Sequence, residues 1–289
     1  VQDGLLYVGG ILDVLVCLRA ETGEEVWRVD FVERYTVAKP AFGMVCSPLV
    51  DKGFVYVQAG AGFCKLNAQT GAEVWRTLVD GGGMYGSAFS SPIMASLDGK
   101  RQVLVLTRTE LCGVDPENGE VLWRQKIEAF RGMNILTPVV HGNRVFTSAY
   151  GGRTHGFEVT QGDGNPAWTV KEAWSAKLQG YMCSPVKIDG AMYFHLRNER
   201  FANVSLADGE IAAISKKSYG KYVSLVRQGN RILALNERGL LRLLDVADGE
   251  VRLLDSEEVS EGQTWAHLAV QGDQLLIREL KGLVVYRWE

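Results

Sequence analysis

Apolar residues in this chain gather in short β-branched and aromatic runs, each closed off by Gly, Asn, Asp or Pro. The most regular series is GLLYVGG (4–10), GFVYVQAG (53–60), RQVLVLT (101–107), NRVFTSA (143–149), GAMYFHL (190–196), NRILALN (230–236) and DQLLIRE (273–279). Several of these are nearly continuous rather than alternating, the pattern of strands covered on both faces. Further strands flank each copy. In the second unit SPLV, KGFVYVQAG, GFCKLNAQTG and AEVWRTLV follow one another, which predicts four short strands joined by tight turns. A hydroxyl residue and proline open the first strand at Ser47-Pro48, Ser91-Pro92, Thr137-Pro138 and Ser184-Pro185. Proline lacks an amide donor, so it suits the first residue of a strand or a sheet edge.

The unit repeats. Its last turn carries a glycine at Gly23, Gly71 and Gly119, with weaker equivalents at Gly164, Gly209 and Gly249, giving separations of 48, 48, 45, 45 and 40 residues. A period of about 45 residues with four strands per unit predicts an all-β fold, a β-propeller of four-stranded antiparallel blades. Residues 1–289 read as one domain of seven blades, at 1–33, 44–79, 88–127, 134–178, 181–218, 221–256 and 264–289, with eight blades as the alternative. The first unit shows only its second, third and fourth strands, and the last only its first, second and third. Ring closure then needs residues upstream of Val1, and a chain that opens inside a strand pattern without Met points to such a segment.

Three of the turns are near copies: LRAETGEEVW (18–27), LNAQTGAEVW (66–75) and VDPENGEVLW (114–123). The glycine allows the positive φ that a tight hairpin requires. Trp27, Trp75 and Trp123 then fall on the fourth strand, where an indole can cover the hairpin of the next blade and its N–H can reach a backbone carbonyl. Loss of such a tryptophan costs about 3–5 kcal/mol where the site cannot relax. The signature fades toward the C-terminus: Trp168 follows DGNPA, and residues 211–213 and 251–253 are aliphatic where the indole is due. Aliphatic packing is expected to hold those later blades.

The Gly-x-x-x-Trp turns resemble those of the tryptophan-docking, PQQ-like propellers. That family includes the quinoprotein alcohol dehydrogenases and, closest in kind, the outer-membrane assembly lipoprotein BamB. The resemblance implies either a protein-binding scaffold or a quinone-dependent enzyme. In the enzymes, pyrroloquinoline quinone lies over a tryptophan with a calcium held by carboxylate and amide ligands, beside an Asp base and commonly two adjacent cysteines. Here Cys17, Cys46, Cys64, Cys112 and Cys183 are scattered, with no CxxC and no adjacent pair. His141, His155, His195 and His267 fall in different repeats without metal-ligand spacing. QGDGN (161–165) lacks the remaining ligands of a calcium loop, DGGGM (80–84) lacks the Lys-Ser/Thr of a phosphate loop, and no GxSxG is present. No catalytic, metal or cofactor residue is therefore assigned, and the quinone with calcium stands as the alternative.

Charge and length narrow the partners. Lys plus Arg total 31 against 34 Asp plus Glu, a net −3, which offers no global basic surface to nucleic acid. No apolar run approaches the roughly 18–20 residues of a membrane span. A protein partner is expected, gripped by the connections from the last strand of one blade to the first of the next. These carry Tyr35, Phe42, Tyr85, Phe89, Phe130, Tyr181, Tyr219, Tyr222 and Trp265, with Arg34 and Arg131 among them. The resemblance implies a periplasmic or envelope location, an outer-membrane assembly component as partner, and peripheral or lipid-anchored membrane association through the upstream segment. Composition alone is equally compatible with the cytoplasm. A minimal PQQ-dependent dehydrogenase and a sensor or interaction domain of a larger protein are the alternative functions.

Overall fold

The computed structural model describes residues 1–164, 167–247 and 250–288. Among these described residues seven antiparallel sheets follow one another, five of four strands and two of three, each an up-and-down meander, the blades of a β-propeller. The first sheet holds β1 (Leu5–Gly10), β2 (Val14–Arg19) and β3 (Glu25–Asp30), followed by the short helix α1 (Phe31–Tyr35). The second holds β4 (Leu49–Asp51), β5 (Phe54–Gln58), β6 (Phe63–Asn67) and β7 (Glu73–Thr77). The third holds β8 (Ile93–Leu97), β9 (Lys100–Leu106), β10 (Glu110–Val114) and β11 (Val121–Lys126). The fourth holds β12 (Val139–His141), β13 (Arg144–Ser148), β14 (Thr154–Gln161) and β15 (Trp168–Ala176). The fifth holds β16 (Val186–Ile188), β17 (Ala191–His195), β18 (Phe201–Ser205) and β19 (Ile211–Ile214). The sixth holds β20 (Val223–Gln228), β21 (Arg231–Asn236), β22 (Leu240–Ala247) and β23 (Glu250–Glu258). The seventh holds β24 (Ala269–Gln271), β25 (Gln274–Arg278) and β26 (Leu283–Arg287).

The apolar runs become the second strands, and β5, β9, β13 and β17 are buried along most of their length. Each of Pro48, Pro92, Pro138 and Pro185 lies immediately before a first strand, where its missing N–H interrupts no ladder. Fourth strands are the exposed edges: β19 and β23 have almost no buried position.

Two compact units make up the chain, residues 1–145 with 157–171 and residues 146–156 with 172–289. In the first, Leu15, Cys17, Phe31, Val55, Val57, Cys64 and Leu66 form a core that runs from the first sheet into the second. In the second, Tyr193, Phe201, Val223, Leu225, Ile232 and Leu244 join the fifth sheet to the sixth, and Leu235, Val259, Leu268 and Ile277 join the sixth to the seventh.

Indole docking joins the outer ends. Trp27 Nε1 donates to the Ala68 carbonyl at 2.9 Å, and its ring lies so close to Gly71 (φ 67°) that a Cβ there would stand 2.7 Å from Cε3. Trp75 repeats this one sheet on, donating to the Pro116 carbonyl at 3.2 Å and lying 2.8 Å from a Cβ at Gly119. Trp123 differs from the sequence expectation: its N–H goes to Gln102 Oε1 within its own sheet, at 2.6 Å. Gly113 on the strand between them makes room, since a Cβ there would sit 2.2 Å from both atoms.

The fading of the signature is also corrected. In the fourth sheet the docking indole is Trp174, not the buried Trp168; it covers Gly209 of the fifth sheet, with a Cβ there 2.4 Å from the ring. Strands β14 and β15 run eight and nine residues, so the indole comes later after the turn than the shorter hairpins suggest. In the sixth sheet the register sets Asp255 opposite Leu243, just before the bulge, which is where Trp75 stands opposite Lys65 in the second. Leu253 is 48% exposed and Ile211 40%, so the aliphatic contact between these blades comes mainly from the inner strands, with Val251 alone of 251–253 packed against that core. Gly249 and Asn165 lie outside the described residues.

Gly71→Ala tests the docking contact against its backbone. We expect a loss of about 2–4 kcal/mol in urea unfolding, from positive φ and the clash with Trp27 together. Gly99→Ala, at φ 76° with nothing within 4 Å of its Cβ, is expected to cost about 1 kcal/mol. Equal losses would show that the indole contact carries no weight.

Candidate functional site

Along an antiparallel meander, the turn between the second and third strands opens at the same end as the connection from the fourth strand to the next sheet. In each unit, this end collects aromatic rings and an arginine.

In the second unit four rings form a row. Tyr150, on the turn between β13 and β14, lies 5.5 Å from Tyr181 between ring centroids; Tyr181 stacks on Tyr222 at 5.7 Å and 11°; Tyr222 meets Trp265 at 4.9 Å. Arg197, on the turn between β17 and β18, stands over Tyr150 at 4.7 Å, and Lys221 over Tyr222 at 5.3 Å, both within cation–π range. Trp265 is 58% exposed. Beside the row, Lys177, Gln179, Leu196, Arg197 and Asn198 line an open cleft of about 340 Å³.

Backbone bonds to adjoining turns hold Tyr181 and Tyr222, and a side-chain bond holds the residue beside Trp265. Tyr181 N–H donates to the His195 carbonyl at 3.1 Å, and Glu237 N–H to the Tyr222 carbonyl at 3.0 Å. Thr264, buried next to Trp265, donates from Oγ1 to the Asn236 carbonyl at 2.5 Å and accepts from Gly239 N–H. Beneath Tyr222, the fully buried His195 donates from Nε2 to the Gly220 carbonyl at 2.8 Å, fixing the bend at φ 102°. Burial and the hydroxyl of Tyr222 push the Tyr181 phenol up to about 12.

The first unit uses a different device. Phe42 and Phe89 lie 6.0 Å apart, and the Arg108 guanidinium sits 4.4 Å above Phe89, 5.6 Å from Tyr85 and 5.8 Å from Phe42. Arg108 is 4% exposed. Its Nη1 donates to the Met84 carbonyl at 2.8 Å, Nη2 to the Arg131 carbonyl at 2.6 Å, and Nε to the Gly132 carbonyl. Burial lowers its pKa from the ordinary guanidinium value. Phe42, Tyr85 and Phe130 are exposed around it, with Arg131 over Phe130 at 5.2 Å.

Tyr35 does not join either surface. It ends α1, its hydroxyl bonds Cys64 Sγ and Glu73 Oε2, and Arg76 covers its ring at 4.0 Å, so it packs within the first unit. Arg34 reaches from the same helix to the Gly71 carbonyl. Tyr219 is buried against Phe201 at 4.9 Å. Tyr150, Arg197 and Arg108, which complete the two clusters, come from turns between second and third strands, outside the connections singled out in the sequence.

Among the described residues, no group of three or more His, Cys, Asp or Glu converges as a metal site, and all five cysteines are separate buried thiols. No helix among the described residues is long and apolar enough to cross a membrane.

A family model described as "Outer membrane protein assembly factor BamB" matches residues 1–215. The chain belongs to the BamB family. Comparison with curated protein sequences returns no match. Among solved structures, BamB from Moraxella catarrhalis aligns with a TM-score of 0.75 at 17% identity, over 99% of this chain and 82% of that one. The quinohemoprotein alcohol dehydrogenase from Comamonas testosteroni aligns at 0.68 and 14% identity, over 99% of this chain and 64% of that one. The computationally designed Ika8 protein aligns at 0.60 and 10% identity, over 100% of this chain and 94% of that one. These likenesses show the propeller fold of this BamB-family chain.

Burial pushes the fully enclosed His195 below the usual 6.5, so the fold holds it neutral. The unfolded chain then binds more protons as pH falls, and stability that is complete above about pH 6.5 is lost below it. Urea midpoints taken between about pH 7.5 and pH 5.5 are expected to fall, and to fall less in His195→Gln. A flat profile in the unaltered protein would contradict this.

Proposed function

We propose that this BamB-family propeller is a non-catalytic scaffold that binds a protein component of outer-membrane assembly in the cell envelope. The row Tyr150, Tyr181, Tyr222 and Trp265 supports this reading. Rigid aromatic side chains with a flanking arginine are the residues that anchor protein interfaces, because they bury large area for little rotamer entropy. Bonds to neighbouring turns hold the row in advance, which lowers the ordering cost of binding. Family membership supports the cellular setting. The rings sit beside Arg197, Lys221 and Lys177, so an extended segment carrying carboxylates or aromatic side chains suits them best.

A photocrosslinking residue in place of Trp265 tests this in envelope preparations. An adduct with an outer-membrane assembly protein is expected, and its yield should drop about tenfold or more in Tyr222→Ala, as for loss of an interface anchor worth about 2 kcal/mol. Adducts that do not change in Tyr222→Ala would count against the row. Pyrroloquinoline quinone and calcium added to the purified protein are expected to produce no dye reduction; robust turnover would favour a dehydrogenase.

A further inference from the structure

The cleft beside the aromatic row has a side-chain lining that offers donors. One wall is the segment that leads into β16, with Lys177, Leu178 and Gln179; the other is the turn between β17 and β18, with Leu196, Arg197 and Asn198. Two backbone contacts set the walls together: Arg197 N–H donates to the Gln179 carbonyl at 2.9 Å, and Gly180 bridges to Leu196. Leu178 and Leu196 are buried, which gives the cleft an apolar base. Gln179 Oε1 accepts from Arg197 Nη1, and Asn198 Oδ1 accepts from Arg200 N–H, both at 3.3 Å. With those oxygens engaged, the two amides offer their NH2 groups, alongside the Lys177 ammonium and the Arg197 guanidinium, which can only donate. No Asp or Glu lines the cleft. Arg197 also stands over Tyr150 at 4.7 Å, so cleft and row share a side chain.

We infer that this cleft receives the side-chain carboxylate of an acidic residue on an extended partner segment, whose following same-face apolar side chains lie along the tyrosine row. The inference rests on the protein-binding reading above and names the segment that fits the row. An ionised carboxylate is acceptor-only, the complement of a lining that offers donors. A guanidinium already held over a ring is oriented for it in advance, which lowers the ordering cost. Residues on one face of an extended chain recur about every 6.5–7 Å, near the 5.5 and 5.7 Å steps from Tyr150 to Tyr181 to Tyr222. A carboxylate at Arg197 therefore brings the next same-face side chains onto the rings.

The probe is a fluorescein-labelled, C-terminally amidated peptide with Glu, Phe and Phe at alternate positions and Ser between them. Anisotropy titration of the full chain should show saturable binding that weakens about tenfold or more when Gln replaces the Glu, as for loss of a charge-assisted hydrogen bond. Arg197→Glu should weaken the Glu peptide and tighten binding of its Lys counterpart, an inversion that loss of folding cannot produce. Tyr222→Ala should weaken the Glu and Gln peptides alike. No saturable binding, or a Gln peptide with a free C-terminal carboxylate binding as tightly as the amidated Glu peptide, would overturn the inference. Equal binding of the amidated Glu and Gln peptides that still depends on Tyr222 would overturn the carboxylate assignment and leave the protein-binding row standing. Should Arg197→Glu fail to fold, Lys177→Gln decides: a preference for Glu over Gln that shrinks supports the cleft, and one that does not change overturns it.

Discussion

Contact between an indole and a glycine that has no Cβ is the constraint on which the outer rim depends. Neither partner suffices alone: Gly71, Gly119 and Gly209 take positive φ, and any side chain at these positions would intrude on Trp27, Trp75 or Trp174. The ring presses against backbone, which has no rotamer to yield. Where that indole is missing, between the fifth and sixth sheets, cohesion comes from Tyr193, Val223 and Ile232 further in. Blades therefore have two independent fastenings, an inner one of ordinary core residues and an outer one of a single ring.

The connecting loops show a comparable division. In the second unit the exposed rings stack on one another while buried polar groups, His195 and Thr264, tie their backbone from below. The first unit's rings gather around a buried guanidinium instead. Both arrangements fix aromatic surface at one end of the strands, in the first unit partly on the short 3-10 turn Phe130–Gly132. Such preorganised apolar surface on loops suits recognition, and a propeller supplies the rigid frame from which loops can be displayed.

Much of the fold was legible because its period is written in residues with few substitutes. Gly71 and Gly119 mark turns that demand positive φ, and Trp75 follows at a distance set by a hairpin of fixed length. The same arithmetic failed where β14–β15 and β22–β23 lengthen: it pointed to Trp168 and Leu253, whereas register selects Trp174 and Asp255. Counting from a turn assumes a constant hairpin; pairing across the bulge does not. The loop aromatics were legible as a group, but Tyr35 follows from helix α1 into the core, and no linear pattern marks Arg108, Arg197 or Tyr150. A signal did exist in the alternation of strand direction, which brings second-to-third turns to the same end as the connections between blades.

Arg108 spreads its charge over carbonyls from two separate connections, at Met84 and at Arg131–Gly132. Lengthening either loop would strand a cation in a dry setting, where desolvation is severe. These two segments are therefore bound to drift together or not at all. The tyrosines of the second unit owe their places to bonds made ring by ring, so that surface is free to be rewritten one position at a time.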